Sequence, residues 1–457
     1  MGATRTFAVL NALHPGRSLL RRNFFWTFVG NTVYSACQWG LLSLLAKLTT
    51  PELVGEYALA VAVTAPLLYV ANFGIGIMLV TDTNRQFRFQ EYRTARLLLI
   101  GATLLAAVVI CFVSRFSTEV ALVTFIVAVI QSSDCLSELY RSVMLRSEQM
   151  SRIAVSLIIR GVASVGTAGA VLLYSKNLVW ALMGMAATRI AVLVAYDIPM
   201  GRDSPPPNTA DIEECDGQRQ RRPEGMLHRV SKALSLPAVW KITSSAVPIT
   251  IITVLTSLVI NVPRYFIESY AGHRQLGIFA AMWSMLMAGN MIAIALGQAL
   301  FPRLSKLYAG RDFIAFRRLI RYAIQIGLGL GFLGVIGSMV AGKQILTFAY
   351  RAEYAEQRWL FVAVMGIGTL VYTITLLGNV ASSARAFKSQ AVLMSVVAVI
   401  TCLSSALLVP TFGVWGAVWA LGLGCSTHAA GLIRIVLGSL SCEENWPNVP
   451  SLATERA

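Results

Sequence analysis

Hydrophobic positions in this chain gather into long blocks, and polar residues collect in the short clusters that separate them. The blocks fall near 24–46, 54–80, 95–114, 120–140, 153–174, 178–198, 242–266, 275–300, 320–341, 359–380, 390–410 and 413–437. Each approaches the roughly 20 apolar residues that a helix needs to cross a hydrocarbon core of about 30 Å. The pattern predicts an all-α polytopic membrane protein of about twelve transmembrane helices. Composition agrees, with 56% of residues hydrophobic and 13% charged, against roughly 45–50% apolar and 25% charged in soluble domains. No water-soluble domain of useful size is left over.

The net charge of +16 would point to nucleic acid in a soluble protein, but here the basic residues sit between apolar spans, as membrane topology requires. With a cytoplasmic N-terminus, the inside segments hold Arg85, Arg88, Arg93 and Arg96, then Arg141, Arg146 and Arg152, and later Arg303, Lys306, Arg311, Arg317, Arg318 and Arg321. The outside loops are far less basic. This places both termini in the cytoplasm and excludes nucleic acid as a partner. The seven cysteines show no C-x-x-C pair or metal-ligand spacing and read as reduced helix residues. Neither a metal nor a cofactor is expected. The basic N-terminal stretch resembles a signal sequence, but its apolar span is long and lacks an A-x-A site, so it is expected to remain as the first helix.

Residues 199–241 break the alternation with Pro205-Pro206-Pro207, an acidic patch and then Arg219, Arg221 and Arg222. This composition cannot bury a core and reads as a cytoplasmic linker. It divides the chain into a six-helix bundle over 1–198, a second over 242–440 and a tail over 441–457. Met226, Leu227, Val230 and Leu234 recur at helical spacing, which suits either an interfacial helix or a solvated linker. The halves echo each other, since Val54-Gly55-Glu56-Tyr57-Ala58 corresponds to Leu276-Gly277-Ile278-Phe279-Ala280. Both halves start inside, so they read as parallel repeats with a substrate site expected between them near the midplane.

The stretch Leu45-Ala46-Lys47-Leu48-Thr49-Thr50-Pro51-Glu52-Leu53-Val54-Gly55-Glu56-Tyr57-Ala58-Leu59-Ala60, followed by Asn72-Phe73-Gly74, resembles the first hairpin of polysaccharide and O-antigen flippases. A second match runs from Glu138-Leu139-Tyr140-Arg141-Ser142 through Arg146-Ser147-Glu148-Gln149-Met150 to Ile159-Arg160-Gly161. The chain is thereby identified as similar to Wzx-type polysaccharide biosynthesis proteins, in the superfamily that also holds the multidrug and toxin extrusion transporters. The resemblance is strongest over residues 20–175. It implies a pair of six-helix bundles alternating access across the bacterial inner membrane. The implied cargo is a short glycan on a polyprenyl pyrophosphate, such as a repeat unit of O-antigen (lipopolysaccharide) or exopolysaccharide. Membrane lipid, this lipid-linked oligosaccharide and a polysaccharide polymerase are the expected partners, and no catalytic activity is expected.

Intramembrane charge is the sharpest signal in the residues themselves, because an arginine at a helix centre costs about 2.5–3.5 kcal/mol even on the insertion scale. Arg160 in span five and Arg189 in span six differ in depth by about 5 Å at 1.5 Å per residue. Two cations at one level call for an anion, and the planar guanidinium fork suits phosphate oxygens. Asp134 in span four could instead pair with Arg160, and both readings stay open. Arg189 has no acid at its depth except Asp197, two turns further in. Arg264 has Glu268 one turn on, so it is either a rim ion pair or a cargo contact. Arg21 and Arg22 at the inner mouth are topology signals or electrostatic lures for an anionic head group. Asn31 and Gln38 share a face of span one, and Asn290 lies in span eight. Such amides bond either to neighbouring helices or to sugar hydroxyls.

Three alternatives compete. A cation-coupled multidrug exporter of the same fold would need intramembrane carboxylates, and spans one and seven hold none before Glu268. A major-facilitator porter would show a Gly-rich turn in the Asp82–Arg96 loop, which is missing. A glycan polymerase would carry a large outer loop, and every outer loop is short. The Gly327 to Gly337 cluster contains a G-x-G-x-x-G match, yet it lies inside an apolar span with no strand before it and reads as tight helix packing.

Overall fold

The computed structural model describes residues 15–72, 74–81, 87–203, 236–384 and 386–444. The expected linker and its amphipathic stretch therefore fall largely outside the described residues. Helices account for every regular element described: α1 (Pro15–Leu48), α2 (Pro51–Asn72), α3 (Ile75–Thr81), α4 (Phe89–Val113), α5 (Thr118–Arg146), α6 (Met150–Ser175) and α7 (Leu178–Val192), then a π turn (Leu193–Asp197) and α8 (Ile198–Arg202). After the linker come α9 (Leu236–Ala309), α10 (Phe313–Ala349), α11 (Ala352–Ala355), α12 (Arg358–Ser383), α13 (Phe387–Phe412) and α14 (Val414–Glu444). Ten of the described helical segments are long and apolar enough to cross a membrane. An all-helical chain follows from the solvent, since backbone polar groups have no water to bond within lipid and must be satisfied inside each segment.

Local chemistry sets the ends. The Ser117 hydroxyl accepts from the Val120 amide at 3.4 Å to open α5, Asn177 accepts from the Val179 amide at 2.9 Å to open α7, and Asp312 accepts from the Ala315 amide at 3.0 Å to open α10. Each side chain satisfies an amide that a helix start otherwise leaves unbonded.

Two differences from the span reading have clear causes. The second expected span is not one helix, because Gly74 adopts φ +60° and separates α2 from α3. The seventh and eighth spans both lie within α9, where Gly272, at φ 78° and ψ 174°, leaves helical geometry. A side chain at either φ would be strained, and glycine removes that penalty.

The described chain forms two compact units, Met1–Ala281 and Met282–Ala457. In the first, α1 packs on α6, α2 and α4 pack on α5, and α6 packs on α7. A buried cluster of Ile75, Leu79, Tyr92, Ala95 and Leu139 holds α3 against α4 and α5. Arg96, which the sequence places among solvated inside-loop residues, stands inside α4 and is wholly buried. It donates to the Ala71 carbonyl at 3.1 Å, to Asn72 Oδ1 at 2.6 Å and to Glu138 Oε2 at 2.6 Å, tying the end of α2 to α5.

In the second unit α10 lies along α12, and α14 packs on both α12 and α13. Its core gathers Leu304, Phe316, Ile320, Leu377, Val380, Ala381, Leu432 and Val436. The glycine-rich face of α10 is a packing surface: a Cβ on Gly327 would lie 2.8 Å from Thr373 Cα, and one on Gly331 would lie 2.5 Å from Thr369 Cβ. Small residues one turn apart let two helix backbones approach in this way.

Candidate functional site

The two intramembrane arginines meet in the first unit, and the carboxylates come with them. Arg160, wholly buried on α6, forms ion pairs with Asp134 of α5 and with Asp197, the latter at 2.8 Å. It also donates to the Ser137 hydroxyl. Arg189, on the last turn of α7, pairs with the other oxygen of Asp134. It reaches Gln38 Oε1 of α1 at 3.2 Å and the Ser164 hydroxyl of α6 at 3.3 Å. Ser156 donates to Asp197 Oδ1 at 2.5 Å, and Gln38 donates to the Tyr34 hydroxyl at 3.3 Å. Four helices thus contribute to one continuous network.

Position follows from local structure. Asp197 closes the π turn and is wholly buried. The wider turn carries it toward Arg160, whereas the sequence names it as the only acid near the depth of Arg189. π turns of this kind often occur where a side chain must be re-aimed at a functional site. Asp134 is the bridging group, shared by two guanidiniums, and its side chain keeps 21% of its surface exposed. A buried charge persists only when paired and hydrogen-bonded, and both arginines meet that condition.

A third guanidinium adjoins the network and is absent from the sequence reading of the site. Arg141 of α5 lies within electrostatic reach of Asp134, Asp197 and Arg160, and its Nη1 is buried without a hydrogen bond. On the sequence Arg141 passes as one of several inside-loop positives. Its signal was the spacing Asp134, Ser137, Arg141, which sets all three on one face of α5. Counting it, three cations face two anions.

The other candidates are scattered. Arg264 bonds Asn261 Oδ1 at 3.2 Å, its Nε is buried without a hydrogen bond, and no carboxylate lies within ion-pair distance among the described residues. Glu268 instead faces His273, Nε2 to Oε1 at 3.8 Å. The expected rim pair is therefore not formed, because Glu268 turns to the residue after the Gly272 break. Asn31 is exposed on α1 and donates to the Thr27 carbonyl at 2.9 Å. Arg22 is exposed, and the side chain of Arg21 lies outside the described residues. Asn290, in the second unit, accepts from the Thr375 hydroxyl of α12 at 2.9 Å. Of the residues marked in the sequence as cargo contacts, Arg160, Arg189 and Gln38 come together among the described residues, with Asp134 and Asp197 as their partners.

Comparison with known proteins bears on both family and fold. The family described as "Polysaccharide biosynthesis protein" matches residues 20–308. A Staphylococcus aureus protein named capsular polysaccharide biosynthesis protein CapF is 25% identical over 349 residues, covering 76% of this chain and 82% of that one. Among solved structures, the lipid II flippase MurJ in an inward closed conformation superposes with TM-score 0.65 at 11% identity, over 94% of this chain and 93% of that one. A multidrug resistance MATE family transporter of the MOP superfamily, inward-facing, gives TM-score 0.61 at 11% identity over 92% and 96%. At such identities these structures speak for the fold alone.

Proposed function

The chain belongs to the polysaccharide biosynthesis protein family, and from that membership we propose that it flips polyprenyl-pyrophosphate-linked oligosaccharide from the inner to the outer leaflet by alternating access. Family and fold are those of transporters and flippases, and a multi-pass membrane protein follows from the ten apolar helices. Placement in a bacterial inner membrane with both termini cytoplasmic, the two six-helix bundles and the residues that meet cargo belong to the proposal.

The observation that carries it is the surplus of guanidiniums over carboxylates around Asp134. Arg160 is held by two carboxylates and a hydroxyl, so it serves as the fixed centre of the network. Arg141, whose Nη1 is buried without a hydrogen bond, has capacity to spare, and Arg189 shares its one carboxylate among the described residues with Arg160. A pyrophosphate arriving from the inner leaflet would complete the charge balance and present oxygens to planar donors. Gln38 and Tyr34, already bonded to this network, offer amide and hydroxyl partners to the first sugar. A cation-coupled exporter of the same fold would need free carboxylates for its ion, and Asp134 and Asp197 are both occupied by arginine.

The test is the leaflet location of lipid-linked oligosaccharide in cells depleted of the protein. Accumulation on the cytoplasmic leaflet with loss of surface polymer is the expected result. Unchanged polymer and an unchanged leaflet distribution would remove the flippase reading and direct the search to small-molecule export.

A further inference from the structure

We propose that Gly55 and Gly277 form the closing contact of an outer gate, a crossed pair in which each glycine seats on the backbone four residues before the other. A Cβ on Gly55 would lie 2.6 Å from the carbonyl carbon of His273 and 3.0 Å from its Cα. A Cβ on Gly277 would lie 2.8 Å from the Gly55 amide nitrogen and 3.0 Å from the carbonyl carbon of Pro51. The carbonyl oxygens of His273 and Pro51 are the atoms met first. These are backbone atoms, which cannot swing aside as a side-chain end would.

The register makes this more than ordinary helix packing. Pro51 precedes Gly55 by the same four positions that separate His273 from Gly277, and Gly55 and Gly277 are equivalent positions of the internal repeat. The contact thus relates two copies of one segment by exchange, as an isologous interface relates two subunits. Residues on either side are dry: Val54, Ala58, Leu59 and Ala62 on α2, and Leu276, Ile278, Phe279 and Ala280 on α9, are all buried. Further ties flank it. Arg274 Nε stands 3.4 Å from Glu52 Oε1, both about half exposed, and the Tyr265 hydroxyl donates to the Ala62 carbonyl. From residue 52 to residue 62 the seam runs about 15 Å along α2 at 1.5 Å per residue.

Its chemistry suits a contact that must part. No buried ion pair crosses the seam among the described residues. Backbone against backbone seals by shape and leaves no unsatisfied charge when it separates. In the orientation drawn from the positive-inside pattern, the turn before Pro51 and the Gly272 break both face outside. The gate assignment rests on the transport reading above.

The test uses the full-length chain with its native cysteines replaced and A62C introduced, probed on intact cells with a membrane-impermeant maleimide. Gly55→Ala and Gly277→Ala should each raise the labelling rate at least threefold. They should also lower oxidative cross-linking of a separate E52C/R274C pair by a similar factor. Labelling and cross-linking equal to the parent in both alanine variants would overturn the gate. Should those variants fail to reach the membrane, the E52C/R274C pair decides alone: oxidation must block A62C labelling and transport, and reduction must restore both. Transport that survives complete cross-linking would overturn it equally. Because labelling does not depend on cargo, an error in the glycan reading would leave this result standing.

Discussion

Arg160 and Asp197 face each other at 2.8 Å with neither side chain exposed to solvent. Removing one partner of such a pair leaves a buried charge, at about 3–5 kcal/mol. Asp197→Asn should therefore lower the melting temperature of the purified protein sharply. Asp134→Asn should cost more, because it unpairs Arg189 and half-unpairs Arg160 together. A double change of Arg160→Met with Asp197→Leu should recover part of the loss. An Asp197→Asn protein as stable as the parent would mean that the pair contributes nothing.

Arg189→Gln is expected to reduce transport at least tenfold while the protein still reaches the membrane in near-parental amount. Asp134 keeps Arg160 in that variant, so the network loses bonds worth about 1–3 kcal/mol and survives. Immunoblotting of membrane fractions beside a leaflet assay separates the two effects. Full transport would remove Arg189 from the cargo site.

Arg264 presents the opposite balance, a cation with a buried and unbonded Nε and no carboxylate partner among the described residues. Replacing an uncompensated buried charge by an apolar side chain of similar volume relieves a desolvation cost. Arg264→Met should raise thermal stability by about 1 kcal/mol or more. If the residue meets an anionic head group during transport, the same variant should flip cargo at least tenfold more slowly. A stabilised and fully active variant would assign Arg264 no part in transport.

Gly331→Leu should destabilise the second unit by about 1–3 kcal/mol, since its side chain has no room against Thr369. Gly329→Leu, two residues away on the exposed face with nothing within 4 Å, should stay within about 0.5 kcal/mol of the parent. Thermal unfolding of the two variants side by side is the measurement, and equal melting temperatures would contradict the packing described for α10 and α12.

Much of the fold was legible because lipid simplifies the code: a block of apolar residues has one regular structure available to it. What escaped was whatever the blocks hide inside themselves. Arg96 reads as an inside-segment positive at the edge of the 95–114 block, yet α4 begins at Phe89 and carries it into the core. Counting depth along straight helices brought Arg160 level with Asp134, and the structure pairs them. The same counting found no acid level with Arg189 except Asp197, two turns further in, whereas the structure pairs Arg189 with Asp134 and Asp197 with Arg160. Arg141 was lost among other basic residues, although helical spacing from Asp134 could have singled it out.

The network around Asp134 also bears on how the chain is made. Its charged members lie on α5, α6, α7 and the π turn, which leave the ribosome one directly after another. Asp134 is already present when Arg160 emerges, Arg189 follows onto the same carboxylate, and Asp197 comes last to complete the pairing. No arginine here need wait in lipid for a partner from the far end of the chain. Rearranged chains should feel this order: a new terminus opened between Gly201 and Leu236 keeps donor and acceptor in succession, whereas one opened between α5 and α6 would ask the membrane to accept two arginines before their shared acid exists.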